Sequence, residues 1–338
     1  MDINQEKIIN KIKVLCVADR PGWSIDRLSK PLSEIYENVT QSYFNTSPNR
    51  YLDSGYSDWK TSTQYCRKMA DDYDVVHFHR LEAAVASGLE GIKAKKILTV
   101  HTGRHADWED ERLLQFDDLI APTQDVYNHF LEHFKDRVVK TKVHFIYHGI
   151  ELRKYYPEEK MSRDGLTLGY VGRIVDWKRW DRMQLIANTG NLKLIGCGYV
   201  EKGSLYNRHN VPKSCFTYTD FLPEPQMRNF YNRMNLFLCF SEKYVEAGPL
   251  PVMEAMACGT PVLSTKQGWA IDHCEGGKNI IFIDDEELTN TGKLTNKIKK
   301  IMADKKFLDE IRNNALELIK NFSIENYAKN LMNIYAVK

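Results

Sequence analysis

Short apolar runs recur along the chain, each followed by a turn or by a polar stretch of helical pattern. In the first half they are Lys13–Ala18 (KVLCVA), Val75–His79 (VVHFH), Lys96–His101 (KILTVH), Asp118–Ala121 (DLIA) and Val143–Tyr147 (VHFIY). In the second they are Leu166–Val171, Leu192–Ile195, Cys215–Tyr218, Leu236–Phe240, Pro261–Ser264 and Ile280–Ile283. Continuous runs rich in β-branched residues predict strands buried on both faces, and therefore parallel sheets covered by helices. A Pro21-Gly22 turn and a helix from about Ser24 follow the first run, and Leu294–Tyr335 has a strongly helical pattern. The turn-rich stretch His148–Pro157 reads as a linker between the two series. Two consecutive βαβ series predict an α/β fold of two doubly wound domains facing a cleft.

Composition narrows the class. At 338 residues the chain exceeds one ordinary core, and 43% apolar with 27% charged residues suits a globular protein. A net charge of +2 argues against a strongly basic nucleic-acid binder. No segment reaches the roughly 20 apolar residues of a bilayer span, and the N-terminal stretch lacks the apolar centre of a signal peptide. Seven cysteines without a CxxC pair, mostly inside apolar runs, point to reduced thiols and a cytoplasmic protein.

The chemistry concentrates in Phe240–Val262 (FSEKYVEAGPLPVMEAMACGTPV), where Glu246 and Glu254 stand eight positions apart around a Gly-Pro turn. A strand end, a turn and a helix start together form a place for anionic phosphates. The second carboxylate can then reach a hydroxyl-rich group such as a ribose. A second element, Gly172-Arg173 with Lys178, follows the first strand of the second series. Glycine lets a ligand approach the backbone, and an arginine and a lysine across one turn can converge on a diphosphate. Alone, this loop with Arg179 and Arg182 would read as a solvated basic turn, and paired acids near a helix start often only cap it. Together the two elements favour a ligand site. His101 closes the TVH run at a strand end, with His79 as its rival; His77 reads as a core histidine, and His105 as either cleft or solvated. No histidine pair has a convincing metal-ligand context.

These segments resemble the retaining glycosyltransferases of the GT-B fold, family 4. The resemblance implies an acceptor-binding Rossmann-like domain over residues 1–155 and a donor-binding one over 156–318. It further implies that a terminal stretch, 319–338, packs back on the first domain. Arg173 and Lys178 would contact the donor diphosphate and stabilise its charge as it departs, and Glu254 would accept from the ribose hydroxyls. Glu246 and His101 would lie beside the transferred sugar. Gly22, Gly172 and Gly198 (of Gly196-Cys197-Gly198) would line the donor, with Tyr218 and Phe221 in the nucleobase region. Where relatives carry Gly-Phe-Gly after the first glutamate, this chain has Ala247-Gly248-Pro249; Pro249 has no N–H to offer, leaving Gly248 and Leu250. No Asp-x-Asp sits at a strand end, so no metal and no cofactor are expected. The co-substrate would be a nucleoside-diphosphate sugar, with a UDP-sugar favoured, and the acceptor an unidentified hydroxyl. A sugar-nucleotide 2-epimerase and a non-catalytic nucleotide-sugar-binding protein are the alternatives within the fold. A basic–aromatic face of Lys178, Arg179, Arg182, Trp177 and Trp180 leaves a hydroxylated base in DNA as a less favoured acceptor. Peripheral contact with a membrane also stays open, for a lipid-linked acceptor.

Overall fold

The computed structural model describes residues 11–19, 24–43, 67–135, 137, 141–158, 166–198, 216–219 and 222–337. The chain divides into two compact units, Met1–Gly149 with Ile324–Lys338, and Ile150–Ser323. No helix among the described residues is long and apolar enough to cross a membrane.

The first unit is built on β1 (Val14–Ala18), β2 (Val39–Tyr43), β3 (Val75–Phe78), β4 (Lys95–Thr99), β5 (Asp118–Ala121) and β6 (Lys142–Phe145). They form one sheet in the order β2-β1-β3-β4-β5-β6. Its pairings are parallel, with Val14 opposite both Val39 and Val75. Buried Leu15, Val17, Val76, Phe78, Leu98 and Leu119 pack with Trp108, Phe130 and Phe134 into its core. Helices α1 (Asp26–Ile35), α2 (Leu81–Ala86) and α3 (Gln124–His133) supply the cover, and the Thr123 hydroxyl caps α3 by accepting from the Val126 amide at 3.3 Å. The apolar pattern misses β2, VTQSY, because an edge strand with only Val39 buried carries no continuous apolar run.

The second unit contains β7 (Thr167–Val171), β8 (Lys193–Cys197), β9 (Phe216–Thr219), β10 (Leu236–Cys239), β11 (Val262–Thr265) and β12 (Ile281–Ile283). Their order is β12-β11-β10-β7-β8-β9, again parallel. Between and after them come α4 (Trp180–Gly190), α5 (Glu224–Asn232), α6 (Leu250–Ala257), α7 (Gly268–His273), α8 (Asp285–Thr289), α9 (Thr291–Ala303) and α10 (Lys305–Ile319). Leu168, Tyr170, Trp180, Ile186, Leu236, Leu238 and Ile298 centre the core. The second unit begins before residue 156 and ends after residue 318. The Ile150 amide donates to the Phe322 carbonyl at 2.8 Å, and this bridge holds both flanking segments in the second unit.

The last helix, α11 (Ile324–Ala336), belongs to the first unit, where it packs against α1. Its buried face carries Ile324, Tyr327, Leu331, Met332 and Tyr335. Lys95 ties down its end: Nζ donates to the carbonyls of Ile334 (2.8 Å) and Val337 (2.6 Å) and pairs with Asp118 Oδ2 at 2.8 Å. A cation at helix-terminal carbonyls complements the helix dipole. Burial pushes the Asp118 carboxyl up, but hydrogen bonds from His144 and Lys95 outweigh it and hold the group below its ordinary range. Lys95→Met should therefore lower the stability of this unit by about 2 kcal/mol, since it leaves the buried Asp118 carboxylate with His144 alone and removes the donor to two helix-end carbonyls. Urea unfolding and protease sensitivity of α11 report the loss; an unchanged midpoint would rule this anchor out.

Candidate active site

In the second unit the chain runs from β7 through β8 to β9 on one side, then returns to place β10 on the other side of β7. Loops leaving β7 and β10 therefore diverge and open a crevice at the carboxyl ends of the strands. Gly172 follows β7 with φ 144°, and Gly198 follows β8 with φ 150°. The Gly172 amide donates to the Cys197 carbonyl at 2.9 Å. A Cβ on Gly198 would lie 1.9 Å from the Gly172 carbonyl oxygen, so only glycine fits there. The Tyr170 hydroxyl donates to the Arg173 carbonyl and steadies the turn.

A single helical turn, Asp176–Lys178, then presents Trp177 and Lys178. Trp177 receives two cations, Lys178 Nζ at 5.0 Å and the Arg173 guanidinium at 5.7 Å from its ring centroid. Its carbonyl accepts from the Glu242 amide at 2.8 Å, joining the loop after β7 to the loop after β10. Across that junction Lys178 Nζ donates to Glu246 Oε1 at 2.6 Å, with the two side chains 13% and 15% exposed. The Ser241 hydroxyl donates to the same oxygen at 3.2 Å. Burial pushes the Glu246 carboxyl up, yet Lys178, Ser241 and Arg173 together hold it below its ordinary range. The structure thus brings Arg173, Lys178 and Glu246 together.

Glu254 is the fifth residue of α6, not part of its first turn, and it is buried. Its Oε2 accepts from the Tyr231 hydroxyl of α5 at 2.5 Å, a partner that sequence spacing does not reveal. Gly248 is half-buried, and Leu250 opens α6 with its side chain buried. Gly268 holds this loop from behind. At φ 45° its Cβ would lie 2.2 Å from the Ala247 carbonyl oxygen, to which the Trp269 amide donates at 2.8 Å. The backbone of Tyr218 lies in β9, whereas Gly22 and Phe221 fall outside the described residues.

The basic–aromatic face does not form as expected. Trp180 is fully buried in the core, Arg179 pairs with Asp285, and Arg182 pairs with Asp181. Lys178 and Trp177 are engaged with Glu246 and Arg173 as described.

In the first unit the direction of strand addition switches between β1 and β3. His79 follows β3 at this point, its amide donating to the Val17 carbonyl at 3.1 Å. His101 lies two residues beyond β4 rather than within the strand. His79 Nδ1 and His101 Nε2 are 2.9 Å apart, and His101 Nδ1 and His148 Nε2 are 3.1 Å apart. Three imidazoles thus form one hydrogen-bonded row. His79 Nε2 is buried with no hydrogen-bond partner among the described residues. A proton there would be a stranded donor, so the favoured row runs from His79 Nδ1–H to His101 and from His101 Nδ1–H to His148. Both ring nitrogens of His101 are then occupied. His148, the third member, lies in the stretch that reads as linker. His77 is a core histidine, bonded to the Tyr335 hydroxyl at 2.6 Å and the Thr99 hydroxyl at 2.8 Å. His105 pairs with Asp125 at 2.7 Å.

Two family profiles match this chain, Glycosyltransferase Family 4 over residues 11–154 and Glycosyl transferases group 1 over residues 155–318. The chain belongs to the family 4 glycosyltransferases, and it is a sugar-transferring enzyme of the GT-B fold. Among solved structures, it is similar to Anabaena Alr3699/HepE in complex with UDP and glucose. The identity is 17%, over 97% of this chain and 100% of that one, with a TM-score of 0.73. It is similar as well to sucrose-phosphate synthase from Thermosynechococcus elongatus (16% identity, 96% and 98% covered, TM-score 0.71). A glycosyltransferase from Rickettsia africae ESF-5 matches at 14% identity, 96% and 98% coverage and a TM-score of 0.68. No curated protein matches the sequence.

The histidine row makes stability depend on pH. Burial, aided by neighbouring His148, pulls His79 down to about 3 from an ordinary 6.5, and His77 and His101 also fall well below it, chiefly through burial. Unfolded histidines take up protons below about pH 6.5 while these stay neutral, so stability is full above that pH and declines as pH falls. His79 alone should cost about 2 kcal/mol between pH 7.5 and pH 5. Melting curves of His79→Asn should show a flatter pH dependence than wild type; parallel curves would contradict neutral burial.

Proposed function

We propose that the enzyme transfers a sugar, with retention of anomeric configuration and without a metal ion, from a nucleoside-diphosphate sugar to a hydroxyl acceptor. The carrying observation is the meeting of Arg173, Lys178 and Glu246 beside the glycine turns at Gly172 and Gly198, where the second sheet switches direction. Two fixed cations beside glycine turns without side chains suit a diphosphate, and they supply the charge that a divalent ion brings in metal-dependent transferases. Without donor, Glu246 is the counter-ion of Lys178. A bound diphosphate would take over that pairing and free Glu246 to accept from a sugar hydroxyl. Glu254 would bind the ribose, turning from Tyr231. The Anabaena relative holds UDP and glucose, which supports a uridine nucleotide here.

The reaction we favour is a front-face displacement. As the bond from the anomeric carbon to the phosphate oxygen breaks, that oxygen accepts the proton of the incoming acceptor hydroxyl. Arg173 and Lys178 stabilise the charge left on the diphosphate, and no separate base is needed. In this reading Glu246, once released by the diphosphate, accepts from a sugar hydroxyl and does not serve as the general base. The first unit would hold the acceptor, with the histidine row shaping its strand ends. His101 would act through its ring face or backbone while its nitrogens stay in the row.

Melting curves with UDP, GDP, ADP, CDP and dTDP test the donor site. A nucleotide at about 100 times its dissociation constant adds roughly 2.7 kcal/mol, and one of the five, UDP by preference, should raise the midpoint by a few degrees. Lys178→Ala should keep its fold and lose two or more orders of magnitude in turnover. Near-wild-type turnover in that variant, or no response to any nucleotide, would sink the reading. Product formed from donor alone, with no acceptor present, would point to epimerisation instead.

A further inference from the structure

The first unit carries a second group of histidines that the proposed reaction does not use. His129 and His133 stand at i and i+4 on α3, so their imidazoles project from one face, with centroids 6.1 Å apart and planes 25° from parallel. Glu109, just beyond the helical turn His105–Trp108, reaches that face and sets Oε1 3.1 Å from His129 Nε2. One donor atom from each of Glu109, His129 and His133 lies within 4.8 Å of the other two. His105 stacks on His129 at 4.1 Å and 13° and is fixed from behind by Asp125.

Tetrahedral zinc, bound at about 2.0–2.1 Å to nitrogen and oxygen, requires donor atoms roughly 3.4 Å apart. The His129–Glu109 pair already stands within a few tenths of an ångström of that separation. His133 needs only a side-chain adjustment, because it is exposed at the end of α3. The stack of His105 on His129 holds the His129 ring in place and leaves its Nε2 facing Glu109. Two imidazoles and one carboxylate suit a borderline divalent cation better than magnesium or calcium.

We propose that Glu109, His129 and His133 form a site for a divalent transition cation of the zinc class, with water in the fourth position. The ion would cross-link α3 to the segment that leaves β4. That segment carries His101 near its start and is tethered again by Trp108, whose indole N–H donates to the Thr102 carbonyl at 3.1 Å. Metal occupancy would thus stiffen the stretch between the histidine row and α3, without taking part in sugar transfer.

The test uses the full chain, stripped with chelator and titrated calorimetrically with Zn²⁺ at pH 7.5. One ion per chain at micromolar or tighter affinity is expected, weakened at least tenfold in His129→Ala and in His133→Ala. Co²⁺ should give visible d–d absorption without a thiolate charge-transfer band, which separates this site from the buried cysteines. Circular dichroism checks that the variants are folded; both positions lie at the surface of α3. Binding no tighter than millimolar, binding unchanged in the double variant, or a thiolate band would each overturn the proposal.

Discussion

The candidate site of the second unit is held in position by one buried ion pair. Lys178 and Glu246 come from loops that leave different strands, and their contact, reinforced by Ser241 and by Trp177 beneath the ammonium, locks those loops together. Removing two charges from water costs several kcal/mol per ion before any attraction is counted, so a short contact of this kind adds little net stability. What it contributes is position: a cation held still at the mouth of the sheet, ready to meet charge that develops elsewhere. The glycines at 172, 198 and 268 serve the same end by letting backbone segments approach one another where any side chain would collide.

Both units place their chemistry by the same topological rule with different side chains. At the switch point of the second sheet stand cations and a carboxylate; at that of the first begins a row of imidazoles, of which His79 and His101 are kept neutral by burial. The contrast is electrostatic. One site is built to hold charge, whereas the other is kept uncharged by burial and by tautomers that pass hydrogen bonds in one direction.

Much of this was legible in the chain because the decisive signals are local. Arg173 and Lys178 share one turn, Glu246 and Glu254 share one strand–loop–helix passage, and buried parallel strands announce themselves as unbroken apolar runs. Features created by distant contacts were not legible. Nothing in the spacing of Glu254 says that Tyr231 will donate to it, and Trp180 reads as surface in a basic string although its ring fills the core. His148 is hidden in a turn-rich stretch until β6 carries it to His101. The polar edge strand β2 escaped because its pairing is with backbone, for which side-chain pattern is a poor guide.

The return of α11 to the first unit has a consequence for biogenesis and for evolution. Everything in the second unit leaves the ribosome before α11 does, so the second unit can complete its core while the first still lacks the helix that covers α1 and lends Tyr335 to His77. The last piece of the first unit thus emerges only after the whole of the second. The same threading makes the second unit an insertion within the first. Exchange of the second unit between relatives therefore needs two recombination junctions, and these meet at one place, where Ile150 and Ser323 form a bridge. A single crossover would leave the first unit with a foreign closing helix.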